Sequence, residues 1–165
     1  MALASRRVRI CHHEAAHCVV ALRLKVPFDF VTIIDNGKHA GHVWFPPSLH
    51  SGKGFATAVV LLAGVCADAK LLEQPVAELI LDGSKGDLLQ ACRILECYPP
   101  PRPTLDNVLV AARELVEHEW PNIKFIARKL LDTPEGKLTY DEVRTAIEAE
   151  QARDWKPLRW DSEAA

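Results

Sequence analysis

Residues 10–22, ICHHEAAHCVVAL, set three histidines and a glutamate into an otherwise apolar stretch. Apolar side chains recur at helical spacing from Ile10 to Leu22, and Pro27 stops the pattern. The pattern predicts a helix over residues 7–24 with one face in the core. Two interpretations are open: the helix binds a metal ion through its histidines, or it is a core helix whose histidines are solvated or hydrogen-bonded.

The spacing of three of these residues favours the first interpretation, a metal-binding helix. His13, Glu14 and His17 satisfy the motif H-E-x-x-H. Because residues four apart share a helix face, both imidazoles can reach one zinc ion. Glu14 lies beside the pair, where it can accept a proton from zinc-activated water. His12 has Ala16 four residues on, so His12 is not a ligand in this register.

A catalytic zinc site needs a third protein ligand. The candidates are the carboxylates and the histidines His39, His42, His50 and His118. Asp87 stands out by its context, because it lies where a glycine-containing loop meets a predicted helix. The alternative is that Asp87 only complements the dipole of that helix.

Two strand-like runs follow the first helix, within residues 28–47. The turn signal Asp-Asn-Gly at 35–37 separates them, which predicts a hairpin of Phe30–Ile34 against Gly41–Phe45. An extended peptide could bind by strand addition to an edge formed by Gly41, His42, Val43 and Trp44. The alternative is an edge that is merely capped by the Pro46-Pro47 pair.

The rest of the chain reads as helices. Residues 52–72 form a long apolar helix, in which Gly64 allows close packing against a neighbour. After the short segment PVAELIL and the loop DGSKGD, a helix carries Asp87 in its first turn, and three closing helices follow the connector YPPPRP. The predicted caps and the predicted helix start are Thr104, Thr139 and Pro121. The predicted fold class is mainly α, compact, with a small β-hairpin or sheet next to the H-E-x-x-H helix.

Composition limits the partners. The 165 residues, 48% apolar and 25% charged, fit a single domain over 1–155 with a flexible tail at 156–165. The net charge is -2, and the basic residues are spread along the chain without forming a basic stripe. We therefore expect no nucleic acid as partner. Five cysteines without C-x-x-C spacing indicate neither a disulfide framework nor a cysteine-rich zinc module.

Location follows from the same features. The cysteine usage favours a reducing, cytoplasmic compartment. No apolar segment follows the first arginines, so secretion is not indicated. The longest apolar run, Phe55–Ala67, is shorter than the roughly 20 residues that span a bilayer. We therefore expect a soluble protein without a membrane partner.

Five segments in the same order resemble the peptidase domain of FtsH-type ATP-dependent zinc metalloproteases, over about residues 10–147. The segments are HEAAHCVVALRL, VTIIDNGKHAGHVWFPP, LLAGVCADAKLL, GSKGDLLQACRI and LTYDEVRTAI. They are similar to the family's H-E-A-G-H-A helix, V-T-I-I-P-R-G-x-A-L-G hairpin, G-G-R-A-A-E-E segment, G-A-S-N-D-L-x-x-A-T segment and L-T-G-D-E-V segment. The resemblance implies a helical zinc-metallopeptidase domain with one zinc per chain. It implies His13, His17 and Asp87 as zinc ligands and Glu14 as general base.

The chain also departs from this family. It contains no G-x-x-x-x-G-K-[ST] phosphate loop and no family membrane anchor, and YPPPRP replaces a longer segment. Ala16 replaces a glycine, and Ala69 replaces the second acid of the G-G-R-A-A-E-E segment, whose first acid is Asp68. The resemblance therefore gives no firm expectation of a contact from that segment to the zinc ligands.

The expected function is a stand-alone, ATP-independent zinc endopeptidase that hydrolyses unfolded or flexible protein or peptide substrates. A second interpretation is a zinc-containing, non-catalytic binding or regulatory module that keeps the peptidase fold. A third is a metal-free helical protein with a chance motif. The family assembles as hexamers, and the sequence leaves open a homo-oligomer and an ATPase partner that acts in trans.

Overall fold

A computed structural model describes residues 5–35, 37, 40–46, 54–82 and 85–154. Within these residues the chain forms seven helices and one three-stranded antiparallel sheet. The mainly α prediction is confirmed, and the small sheet lies against the first helix, as expected. The predicted tail at 156–165 lies outside the described residues, as do Asn36, Pro47 and Gly52.

Among the described residues, the strands lie near the two ends of the chain, and five consecutive helices lie between the second strand and the third. The helices are α1 (Arg6–Arg23), α2 (Gly54–Leu72), α3 (Val76–Asp82), α4 (Lys85–Glu96), α5 (Leu105–His118), α6 (Trp120–Asp132) and α7 (Tyr140–Asp154). The strands are β1 (Phe30–Thr32), β2 (His42–Trp44) and β3 (Lys137–Thr139).

The central element is α2, which is buried at every position from Thr57 to Asp68. A helix that is apolar on all sides is stable in water only when other elements cover it, and α1, α4 and α5 pack around α2. By length and composition alone α2 could cross a membrane, but 67% of this stretch is buried inside the fold. Such burial is typical of a core helix.

Helix α1 packs between α2 and α6. Its first turn is capped by the Ser5 hydroxyl, which accepts a hydrogen bond from the Val8 amide at 3.4 Å. Ala15, Ala16 and Val20 are fully buried, and small side chains of this kind let neighbouring helices approach closely. The close approach brings the H-E-x-x-H motif against α2.

The sheet has the order β2-β1-β3, so β1 is its middle strand. Val31 pairs with Val43 on one side and with Leu138 on the other. The predicted hairpin is confirmed with shorter strands, and β2 lies at an edge, as predicted for Gly41–Trp44. The third strand was not predicted; the sequence predicted only that Thr139 caps the last helix.

One helix had no counterpart among the predicted elements, and one predicted loop was wrong in part. The segment PVAELIL, for which no element was predicted, forms most of α3. The predicted loop DGSKGD is helical at residue 82 and again from 85 to 87, where α4 begins, while 83–84 lie outside the described residues. Asp87 is in the first turn of α4, as predicted. The predicted caps Thr104 and Thr139 both accept hydrogen bonds from the first turns of their helices.

Candidate metal centre

The two histidines of the H-E-x-x-H motif lie side by side between α1 and α2. The ring centroids of His13 and His17 are 4.7 Å apart, with their planes at 77°. The whole of His17 is 5% exposed. The i, i+4 spacing on α1 is what places both rings on the face that meets α2.

Asp87 reaches this pair from α4. Its Oδ2 lies 3.4 Å from Nε2 of His13 and 3.7 Å from Nε2 of His17. The ligand atoms of all three residues lie within 4.8 Å of one another, so one ion could bind them together. The structure therefore brings together the three predicted ligands. The Asp87 side chain is 31% exposed, so the cluster opens to solvent on the side of α4.

The other ring nitrogen of each histidine is held by α2. Nδ1 of His13 donates to Oδ2 of Asp68 at 3.0 Å. Nδ1 of His17 donates to the Val60 carbonyl oxygen at 2.7 Å. A donor hydrogen at Nδ1 directs Nε2 towards the ion, which is the arrangement that orients histidine ligands in metal sites.

Gly64 leaves the space that an ion would need. A Cβ atom built on Gly64 would lie 2.5 Å from Nε2 of His13 and 2.5 Å from Nε2 of His17. Zinc binds imidazole nitrogen at about 2.0–2.1 Å. The volume in front of both nitrogens is thus kept free by the missing side chain, and the predicted close packing at Gly64 is confirmed. Two imidazoles and a carboxylate form a donor set that suits zinc.

Glu14 is buried beside the cluster at 6% exposure. The backbone of Gly41 lies directly against it, since a Cβ built there would be 2.9 Å from both Cγ and Oε1 of Glu14. Burial raises the pKa of Glu14 to about 8. A carboxyl group whose pKa lies near neutrality can both accept and return a proton.

The two histidines differ in charge when no metal is bound. Burial alone would lower the pKa of His13, but hydrogen bonds to Asp68 and Asp87 outweigh it and raise the pKa to about 10. Burial lowers the pKa of His17. At pH 7, His13 is therefore an imidazolium held between two carboxylates, and His17 is neutral.

Zinc binding is expected to release protons. At pH 7, below the His13 pKa of about 10 and the Glu14 pKa of about 8, both groups hold a proton in the metal-free protein. An ion must displace the proton on Nε2 of His13, and its charge favours the ionised form of Glu14, so we expect about one to two protons per zinc. The apparent affinity for zinc should rise with pH between about 7 and 9. Calorimetry in buffers of different ionisation enthalpy measures the release, and zero release would contradict this assignment of charges.

The remaining described histidines lie outside the cluster. Nδ1 of His12 bonds to the Val8 carbonyl at 2.8 Å, and its ring lies 5.7 Å from that of Trp120 on α6. The ring centroid of His42 lies 5.9 Å from that of Phe30. His118 pairs with the adjacent Glu119. The candidates His39 and His50 lie outside the described residues.

Two partners of the ligands were missed by sequence reasoning. The contact from Asp68 to His13, left without a firm expectation, is present, and the Val60 carbonyl was not considered. A signal for Asp68 existed, because it is an acid that directly follows the apolar run Phe55–Ala67, and a buried carboxylate needs a partner.

No protein-family model matches the chain, and a search of curated proteins finds no match. The resemblance to FtsH-type peptidases stays a prediction that rests on the five segments.

Proposed function

We propose that this protein is a zinc-dependent endopeptidase. The observation that carries the proposal is the convergence of His13, His17 and Asp87 from two helices, with the ligand atoms within 4.8 Å of one another and the buried carboxyl of Glu14 beside them. A structural zinc site has no need of a neighbouring base. The resemblance to FtsH-type peptidases supports the same residues in the same roles.

Each residue of the site would have a separate role. His13, His17 and Asp87 would hold the ion, while Asp68 and Val60 fix the imidazoles. Zinc at this position would supply Lewis acidity and lower the pKa of water towards neutrality. Glu14 accepts a proton from the attacking water and delivers it to the departing amine of the peptide.

The sheet supports a peptide as substrate. β2 is an edge strand, and Gly41, immediately before it, contacts Glu14. A peptide that adds to this edge as a further strand passes the carboxyl group that moves the proton. The extended backbone required for such pairing is found in unfolded chains, loops and tails.

A cavity provides room for side chains of the peptide. It has a volume of about 810 Å³ and lies between the start of α2 and α4, with Thr57, Leu89, Ile94 and Tyr98 in its wall. Its wall also includes Gly86, the residue before Asp87. The cavity lies next to the first turn of α4, and its wall combines apolar side chains with those of Gln90 and Arg93.

The cytoplasmic location, a homo-oligomer and an ATPase partner in trans remain proposals that follow from composition and resemblance. An unfoldase would be needed for folded substrates, since a folded chain withholds its backbone from an edge strand.

The test combines metal analysis with cleavage of an unfolded protein such as casein. Protein prepared without chelator should contain one zinc per chain, lose cleavage on chelation and regain it with zinc. His17→Ala should lose both zinc and cleavage, whereas His12→Ala, a histidine on the same helix that faces α6, should keep both. Absence of zinc from the wild type would overturn the proposal. Zinc without cleavage would favour the non-catalytic module, and cleavage that persists in His17→Ala would indicate a contaminating protease.

A further inference from the structure

We infer that Arg9 is a positioning residue for the metal ligand His13, through the carboxylate of Asp68. The inference rests on the proposed metal centre but concerns a residue that plays no part in the H-E-x-x-H motif. Arg9 precedes His13 by four residues, so the two side chains leave α1 on the same face. Both meet the same oxygen of Asp68 on α2.

The distances show a shared acceptor. Nη2 of Arg9 and Nδ1 of His13 each lie 3.0 Å from Oδ2 of Asp68. Oδ1 of Asp68 is buried and accepts no hydrogen bond from any described residue. The orientation of this carboxylate is therefore set by the two donors at Oδ2, of which Arg9 is one.

Burial makes the Arg9 contact consequential. The Asp68 side chain is 2% exposed, whereas that of Arg9 is 31% exposed. A carboxylate at this depth needs a charged partner, and a guanidinium keeps its charge at every relevant pH. Arg9 thus supplies a permanent charge beside Asp68 at the edge of the fold, and the carboxylate that it holds directs Nε2 of His13 towards the ion position.

The arrangement forms a chain of three groups from the surface to the ion. Partners that hydrogen-bond to a metal-bound histidine fix its ring orientation, and their loss typically lowers metal affinity 10- to 100-fold. Asp68 is such a partner, and Arg9 holds Asp68. The loss of Arg9 should allow the carboxylate to turn about its side-chain torsion and weaken the restraint on the ring of His13.

The test measures zinc affinity by competition with a chromophoric chelator, with no peptide substrate present. We expect Asp68→Ala to raise the Kd about 100-fold and Arg9→Ala to raise it about tenfold. Arg9→Lys should recover part of the loss. The matched control is Arg6→Ala, an exposed arginine in the first turn of the same helix, which should leave the Kd unchanged.

The double variant separates positioning from a general effect on the fold. If Arg9 acts through Asp68, then Arg9→Ala adds nothing in the Asp68→Ala background. The inference would be overturned if the increases in Kd of the two single variants multiplied in the double variant, or if Arg9→Ala had the wild-type Kd. Either result would leave the proposed peptidase intact. A wild-type protein that binds no zinc would overturn both, and zinc binding without cleavage would count against the peptidase alone.

Discussion

Replacement of Glu14 by glutamine should lower kcat/KM for an unfolded protein by about 10²- to 10⁴-fold, the usual contribution of a general acid-base group. An amide has nearly the shape of a carboxyl group, so it should fit under the Gly41 backbone, which packs against Cγ and Oε1 of Glu14. It cannot accept a proton from water at neutral pH. The ligands themselves are untouched, so zinc content should stay at one per chain.

In the metal-free protein at pH 7, Glu14→Gln should raise the free energy of unfolding, because the raised pKa of Glu14 makes burial of this carboxyl group unfavourable at that pH. Burial raises the pKa of Glu14 to about 8 from its ordinary value of about 4.5. A raised pKa means that the folded metal-free protein holds this proton more tightly than the unfolded chain. The Glu14 contribution to stability is therefore complete below pH 4.5 and is lost as pH rises through about 8. At pH 7 the carboxyl group is ionised in the unfolded chain and must take up a proton on folding, whereas a glutamine is neutral in both states.

The measurements are steady-state cleavage, metal analysis and thermal unfolding of the metal-free protein. The control is Glu114→Gln, an exposed glutamate on α5, which should retain wild-type cleavage. Wild-type activity in Glu14→Gln would exclude Glu14 as the base. Loss of zinc in this variant would show instead that Glu14 supports the ligands.

Replacement of Gly64 by alanine should abolish stoichiometric zinc binding. The added Cβ would lie 2.5 Å from Nε2 of both His13 and His17 and 2.6 Å from Cε1 of His13. These contacts are too short to persist, so both rings must turn away from the ion position that they share. At an exposed position in a helix the same change stabilises by about 1 kcal/mol, which offsets part of the cost of about 1–3 kcal/mol for overpacking at this buried position. We therefore expect a folded, helical protein that has lost its metal and its activity.

The matched control is Gly86→Ala, at the start of α4, where an added Cβ would meet nothing within 4 Å. That variant changes the residue next to Asp87, and it should still bind zinc. Circular dichroism checks that both variants fold, and metal analysis after dialysis distinguishes them. A full zinc complement in Gly64→Ala would show that the ion does not lie between the two Nε2 atoms.

The candidate site was predictable where spacing along the chain determines contact. His13 and His17 are four residues apart on one helix, so their juxtaposition follows from helix geometry. Asp87 came from resemblance and context rather than spacing. The contacts of Asp68 and Val60 with the histidines join residues 55 and 43 positions apart. They depend on how α1 docks on α2, which no local pattern encodes.

The same distinction explains the fold. Long apolar periodicity identified α1 and α2, and the turn signal identified the hairpin. β3 has only three residues, Lys137–Thr139, too few for alternation to separate a strand from the start of a helix. Its partner β1 lies about a hundred residues earlier, so its strand conformation is a tertiary effect.

The candidate ligands come from α1 and α4, with His17 and Asp87 70 residues apart in the sequence, so the complete donor set exists only in the folded chain. Zinc that binds the folded form alone raises the free energy of unfolding, by about 1.4 kcal/mol for each tenfold excess of free zinc over its Kd. Metal-free copies consequently unfold more often than loaded ones. Under the proposed function, cleavage of unfolded chains, those copies would themselves be substrates, and self-digestion would remove the inactive molecules from a mixed population.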